Sequence, residues 1–348
     1  MRVLCAMSGG VDSSVAALRL REAGHEVVGV FMKNGVTQKG DAAAEKSCCS
    51  ASDARDAAVV AERLGVSFFA VDYAAEFGRI IDFFADEYRR GRTPNPCVLC
   101  NSQLKFGHLL ELADDVGAEC VATGHYARAV DGRLLRAVDR RKDQSYYLFG
   151  IERAALARAL FPLGDSTKAE VRAQARAAGL RTAEKPESME ICFVTSGDYR
   201  DVVRARGGLG RPGRFVDDQG ADLGPHDGVG QFTIGQRRGL PALGAPRYVQ
   251  AIDAAAGTVV LAEAVALDRP QARLEAVHWL VEPDAPRLQA EVQIRARHEA
   301  VPAVVVPDVA DPRRVVIEFA APVRAVTPGQ AAVIYRGDLV LGGGWIVG

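Results

Sequence analysis

A seven-residue stretch, "SGGVDSS" (residues 8–14), most constrains what this chain can fold into. It follows the short apolar run "RVLCAM", and after it Val11, Val15 and Leu18 recur at the spacing of one helix face. A strand that turns into a helix through two adjacent glycines brings backbone N–H groups close to an anion. The hydroxyls of Ser8, Ser13 and Ser14 add donors, and Asp12 suits a magnesium ion held against a pyrophosphate. The stretch lacks the G-x-x-x-x-G-K-[ST] pattern of the common nucleotide loop. A tight turn with a polar helix cap would explain "SGG" alone. It does not explain the whole heptapeptide directly behind a strand.

The alternation continues. "EVVGVFM", "VSFFAVDY" and "ECVATG" read as strands, and "SDARDAAVVAERLG", "EFGRIIDFFADEYRRG" and "FGHLLELADDVG" as helices. Ala57, Val60, Ala61 and Leu64 form one inward face, and Phe77, Ile80, Ile81 and Phe84 another. The first half is therefore expected to be an α/β domain with a doubly wound parallel sheet. Near residue 205 the pattern changes to a glycine-rich stretch, "RGGLGRPGRFVDDQGADLGPHDGVGQ". Short alternating runs follow, such as "TVVLA", "AEVQIRAR", "RRVVIEF" and "AAVIYRG". The expected organisation is an α/β domain over 1–204, a small β-rich domain over 205–272 and a C-terminal β-barrel over 273–348.

With 348 residues, 48% of them hydrophobic and 25% charged, the chain can bury a core without disulfide support. It opens on a strand rather than a secretory leader, and no apolar run reaches the roughly 18 residues of a membrane span. A reducing cytoplasm is the expected compartment, where clustered cysteines point to metal or catalysis. There are seven cysteines, and two of them, Cys97 and Cys100, sit behind Pro94 and Pro96 in "RTPNPCVLCN". The prolines would hold that turn extended. Cys5 and Cys120 fall in strands and read as core, and Cys192 in "MEICFV" reads on its residues alone as a buried thiol. A net charge of −1 argues against non-specific nucleic-acid binding and leaves local patches, such as residues 133–147, for any RNA contact.

"SGGVDSS" is similar to the PP-loop of ATP pyrophosphatases, which cleave ATP between the α and β phosphates and activate a substrate oxygen as an adenylate. "FMKN", "CCSASDARDAAVVAERLGV", "GRTPNPCVLCN", "ATGHYAR", "KDQSYYL", "PESMEICFV", "FTIGQRRGL", "TPGQ" and "LGGGWI" occur in order behind it. Together they resemble the tRNA-specific 2-thiouridylase family, which thiolates the wobble uridine (position 34) in tRNA for Lys, Glu and Gln.

The resemblance implies site residues. Cys100 would be the nucleophile and Cys192 the persulfide carrier, with a Cys100–Cys192 disulfide formed as sulfur is released. Ala6, Met7, Ser8, Gly9, Gly10, Val11, Asp12 and Ser13 would bind ATP, with Met32 and Gly124 on the adenine side. Asn95, Pro96 and Cys97 would contact the target base. His125, Lys142, Asp143, Gln144, Arg295, Ala296 and Gln330 would contact tRNA. Gln231, Thr233, Gly235 and Gln236 read as turn residues of the central domain. Some members carry Asp where Cys97 stands, so a carboxylate base does not carry over there. The family often has an aromatic residue at the place of Ala296. Cys97, Cys100 and Cys192 would also suit a [4Fe–4S] cluster with one open iron, or zinc with a fourth ligand. The resemblance leans to the persulfide route, with a cysteine desulfurase or a relay protein as sulfur donor. Cys48 and Cys49 are assigned to a substrate or nucleotide loop without a catalytic role.

Other readings predict different behaviour. A PP-loop enzyme acting on cytidine 32 or uridine 8 is opposed by the C-terminal motifs. A ligase that amidates small molecules has no use for the cysteines. A non-catalytic metal- and RNA-binding protein would not convert ATP to AMP.

Overall fold

The computed structural model describes residues 1–36, 51–186, 191–195 and 197–348. Cys48 and Cys49 lie outside them. The elements are β1 (Arg2–Ala6), α1 (Val11–Glu22), β2 (Glu26–Lys33), α2 (Ala51–Leu64), β3 (Ser67–Asp72) and α3 (Ala74–Arg89). There follow α4 (Pro96–Leu99), a π-helical stretch (Cys100–His108), α5 (Leu109–Asp115), β4 (Cys120–Ala122), β5 (Ala127–Val130) and β6 (Arg133–Arg136). Then come α6 (Arg153–Leu156), β7 (Ala159–Leu160), α7 (Lys168–Ala177) and α8 (Tyr199–Ala205). The remainder is β8 (Gly213–Asp217), β9 (Asp222–His226), β10 (Tyr248–Asp253), β11 (Thr258–Ala262), β12 (Asp268–Trp279), β13 (Leu288–Gln293), β14 (Val301–Pro307), β15 (Val315–Arg324), β16 (Ala331–Arg336) and β17 (Leu339–Ile346).

The chain forms two compact units. The first comprises Met1–Ile80, Cys97–Gly197 and Asp338–Val340; the second comprises Ile81–Pro96, Asp198–Gly337 and Leu341–Gly348.

In the first unit a five-stranded parallel sheet runs in the order β3-β2-β1-β4-β7. The chain winds outward from β1 to β3 and resumes on the other side at β4. The switch point therefore lies between β1 and β4, where sheets of this kind bind ligands. The predicted inward faces are buried: Val11, Val15 and Leu18 of α1 and Ala57, Val60, Ala61 and Leu64 of α2 share one core with Val3, Cys5 and Phe31. Burial pushes the Cys5 thiol up to about 12, so it is an inert core group. Cys120, expected in the core as well, is only partly buried at the first position of β4. Helix α7 starts with a capping box: Glu170 N–H donates to Thr167 Oγ1 at 3.3 Å, and Thr167 N–H to Glu170 Oε2 at 2.7 Å. The box fixes the first helical residue, Lys168.

In the second unit a four-stranded sheet has the order β10-β11-β8-β9, with β8 and β11 parallel. Phe215, Phe232, Val249 and Leu261 lie in its core. Strands β12-β15-β14-β13-β16-β17 form the barrel, closed by β12 against β17 through Leu274↔Ile346 and Trp279↔Gly342. This is the barrel that the alternating runs predicted. Among the described residues no helix is long and apolar enough to cross a membrane.

A candidate nucleotide and sulfur-transfer site

Residues 7–10 connect β1 to α1, whose first turn holds the rest of the heptapeptide, and Gly10 precedes the helix with no side chain capping it. The first N–H groups of α1 are thus left for a ligand, with the positive end of the helix dipole behind them. Gly9 has φ +74°, and a Cβ there would stand 2.2 Å from Asp53 O. Lys185 Nζ holds this approach, donating to Gly9 O at 3.0 Å and to Asp53 Oδ1 and Asp56 Oδ2 at 2.6 Å each. Burial works to lower the Lys185 pKa, but the bonds and charges of the two aspartates outweigh it and the net shift is upward. The serines divide. Ser13 Oγ accepts from Ser8 N–H at 3.1 Å and lies beside the Ser8 hydroxyl. Ser14 is fully buried; its hydroxyl donates to Gly10 O and accepts from Thr182 Oγ1. Ser14 therefore braces the helix and does not face a ligand, contrary to its sequence reading as a donor.

Asp12 has partners that the sequence did not reveal. Lys168 Nζ donates to both its carboxylate oxygens at 2.8 Å, and Tyr126 Oη donates to Oδ1 at 2.9 Å.

A cavity of about 200 Å³ opens on this loop. Ala6, Met7, Ser8, Asp12, Ser13, Met32, Gly124, His125 and Gln144 line it, together with Val30, Phe31, Lys105 and Thr123. Nine expected site residues thus meet at one place, drawn from the C-terminal ends of β1, β2 and β4, the first turn of α1 and the loop before α6. Gly9 and Gly10 in the loop and Val11 at the start of α1 do not line the cavity. Gly124 is needed for closeness: a Cβ on it would be 2.7 Å from Ser13 N and 2.8 Å from Asp12 C.

His125 is buried, at 9% exposure. Its ring reaches Thr123 Oγ1 at 2.7 Å through Nδ1 and Lys105 Nζ at 3.3 Å through Nε2. Burial first, and the Lys105 charge second, push its pKa well below 6.5. The ring is therefore neutral. Lysine can only donate, so Nε2 accepts and Nδ1–H donates to Thr123. A folded-state pKa below the unfolded value means stability that is full above pH 6.5 and is lost as pH falls through the folded value. Denaturant midpoints are expected to drop more steeply from pH 6.5 to about 5 in the wild type than in His125→Gln, which takes up no proton. Parallel pH curves for the two proteins would show that the folded ring is not held neutral.

Pro96 opens α4, where its missing N–H costs nothing, and Cys97 follows in the same turn. Cys100 begins the π-helical stretch, a wound-out geometry that recurs at functional sites. Cys97 and Cys100 are half-buried, and so is Cys192, whereas its neighbours Phe193 and Val194 are buried. Cys192 is thus not the core thiol that its flanking residues imply. None of the three lines the cavity. Among the described residues no group of three or more His, Cys, Asp and Glu side chains is arranged to hold a metal ion. Cys97, Cys100 and Cys192 are not gathered as a ligand set for a [4Fe–4S] cluster or zinc, and no step below passes through one.

The remaining expected residues are placed as follows. Asp143 accepts from Ala137 N–H at 2.9 Å and from Ser145 Oγ at 2.9 Å, so its side chain holds its own loop. Lys142 beside it is half-buried. Gln144 Oε1 accepts from Tyr126 N–H at 3.0 Å. In the second unit, Gln330 Nε2 donates to Thr93 O at 3.0 Å and Pro94 O at 3.4 Å, and so fixes the segment that carries the buried Asn95 and Pro96. Gln293 Nε2 donates to the carbonyls of Arg295 and Ala296 and shapes that turn. Thr233 and Gln236 bond one another across a turn, as their sequence reading expects.

Comparison with known proteins adds three family models, in chain order. One described as tRNA methyl transferase HUP domain matches residues 1–196. One described as tRNA methyl transferase PRC-barrel domain matches 204–263, and one described as aminomethyltransferase beta-barrel domain matches 269–346. The chain is 45% identical to the tRNA-specific 2-thiouridylase MnmA of Rhodopirellula baltica, over 99% of this chain and 96% of the relative. It is 47% identical to the protein of the same name from Geobacter metallireducens, over 99% and 96%. It is 48% identical to that from Sorangium cellulosum, over 99% and 92%.

Proposed function

The chain belongs to the tRNA-specific 2-thiouridylase family, and from that premise we propose how its residues carry out the reaction. It is an ATP-dependent tRNA sulfurtransferase that replaces the C2 oxygen of a uridine with sulfur. The observation that carries the reading is the uncapped start of α1 opening on one cavity with Met32 and Gly124.

Nitrogen lone pairs on both sides of the uracil C2 carbonyl make it a poor electrophile. Transfer of an adenylyl group to the oxygen turns it into a leaving group. The loop Ala6–Ser13 binds the pyrophosphate end of ATP with backbone N–H groups and the Ser8 and Ser13 hydroxyls. The nucleoside end lies by Met32 and Gly124 and meets them through backbone atoms. Magnesium bound with ATP would neutralise phosphate charge. Among the residues that line the cavity, Asp12 is the carboxylate that would hold it, in exchange for its ion pair with Lys168.

A persulfide on Cys192 supplies the nucleophile. Its terminal sulfur bonds to C2, and the C2–O bond breaks with AMP as the leaving group. The Cys100 thiolate then attacks Cys192 Sγ and breaks the S–S bond to the base. The products are 2-thiouridine and a Cys100–Cys192 disulfide, which a thiol reductant reopens. A cysteine desulfurase or a persulfide relay protein recharges Cys192, in the reducing cytoplasm. The substrates are tRNAs for Lys, Glu and Gln, thiolated at the wobble uridine. Asn95, Pro96 and Cys97 meet the base. His125, Lys142 and Gln144 meet tRNA in the first domain (1–204), with Asp143 shaping the loop that carries Lys142 and Gln144. The central domain (205–272) and the barrel (273–348) extend the contact through Arg295 and Ala296, and Gln330 holds the proline turn in place.

Nucleoside mass spectrometry tests this. Unmodified glutamate tRNA is incubated anaerobically with protein, Mg-ATP and a persulfide source. Expected are 2-thiouridine at the wobble position and one AMP per thiolation; neither product appearing would sink the assignment.

A further inference from the structure

One lysine, Lys105, lines the cavity, and its surroundings differ from those of the two lysines beside the loop. Lys168 is neutralised by Asp12, and Lys185 by Asp53 and Asp56. Lys105 Nζ donates instead to Asn101 Oδ1 at 2.9 Å and to His125 Nε2 at 3.3 Å. Both acceptors are neutral. An ammonium has three N–H donors, and among the described residues nothing takes the third. No carboxylate pairs with Lys105 there either. A solvated surface lysine would look different, because this one is half-buried in the wall of a cavity. A cation held by neutral groups without a counter-charge is set to receive an anion from the ligand, and in so restricted a space that attraction is little screened.

The two ends of the nucleotide fix which anion. The pyrophosphate end belongs to the loop and the nucleoside end to Met32 and Gly124, so the α-phosphate lies between them, beside the wall that carries His125 and Lys105. We propose that Lys105 is a catalytic residue that binds the α-phosphate of ATP and holds its charge during adenylyl transfer. The inference rests on the adenylation reading above. In the step, a lone pair of the uracil O2 forms the bond to the α-phosphorus. The bond from that phosphorus to the bridging oxygen breaks, its electron pair leaving with pyrophosphate, and the uracil N3 proton passes to water. Lys105 stabilises the negative charge that builds on the non-bridging oxygens. Asn101, four residues earlier, and the neutral ring of His125 are positioning residues that aim the remaining N–H.

Calorimetric binding of ATP, AMP and adenosine to the wild type and to Lys105→Met tests the contact directly. AMP and ATP are expected to bind about tenfold more weakly to the variant, while adenosine changes less than about twofold. Lys105→Arg should regain part of the AMP affinity. With tRNA present, AMP formation by Lys105→Met should fall by about a hundredfold or more. Equal weakening of adenosine and AMP would mean a packing role and overturn the proposal, as would AMP formation within about threefold of wild type. If the wild type itself forms no AMP with tRNA, the adenylation reading fails. The difference between AMP and adenosine then still decides whether Lys105 holds a phosphate.

Discussion

Cys192→Ser is expected to abolish 2-thiouridine formation, by at least about a thousandfold, while tRNA-dependent conversion of ATP to AMP continues. The two halves separate because they use different groups. Adenylyl transfer draws on the loop before α1 and on the cavity that its residues line, and Cys192 does not line that cavity. Sulfur transfer needs an atom that forms a weak bond to sulfur and accepts attack by a thiolate, and a serine oxygen does neither. Folding should survive, since Cys192 is half-buried and serine is nearly isosteric. Cys100→Ser gives a contrasting result: the base stays joined to Cys192 through a disulfide, and protein-linked tRNA accumulates until a small thiol releases it. Thiolation by Cys192→Ser from sulfide alone would show that the sulfur does not travel on that residue.

Four strands of the sheet, β1 to β4, were legible as short apolar runs set off by turns, and α2 and α3 by apolar faces at regular spacing; β7, two residues long, gave no such signal. The loop could be placed for the same reason: a strand, two glycines and a helix leave little choice of geometry. The polar partners were not legible. Lys168 lies 156 residues from Asp12, and Lys185 lies 176 from Gly9, so only the fold joins them. Lys105 had a faint local signal, since it follows Cys100 closely in "CNSQLKF", but its meaning depends on His125 being buried and neutral. The carried-over tRNA positions show a different limit. Resemblance gives Asp143 and Gln330 as tRNA contacts, and it could not show that their side chains also bond backbone groups of neighbouring segments. The π-helical stretch after Cys100 was also invisible, because apolar periodicity does not distinguish a locally unwound helix from a regular one.

Gly124→Ala is expected to weaken ATP binding by about thirtyfold, near 2 kcal/mol, with a cooperative melting transition retained. Gly124 is not required by its backbone angle. It is required because β4 ends against the start of α1, where an added methyl group would stand 2.7 Å from Ser13 N and 2.8 Å from Asp12 C. Both obstacles are backbone atoms, so no side chain can swing aside. The helix start must move instead, and with it the N–H groups that the pyrophosphate needs. A shift of a few tenths of an ångström lengthens several charge-assisted hydrogen bonds together, which is why one methyl group has a large effect. The folding core pays less, since α1 remains packed through Val15 and Leu18. Titration of Mg-ATP against the purified variant checks this. An affinity within about threefold of wild type would mean that the start of α1 is not the phosphate site, and the assignment of ATP to this cavity would fall with it.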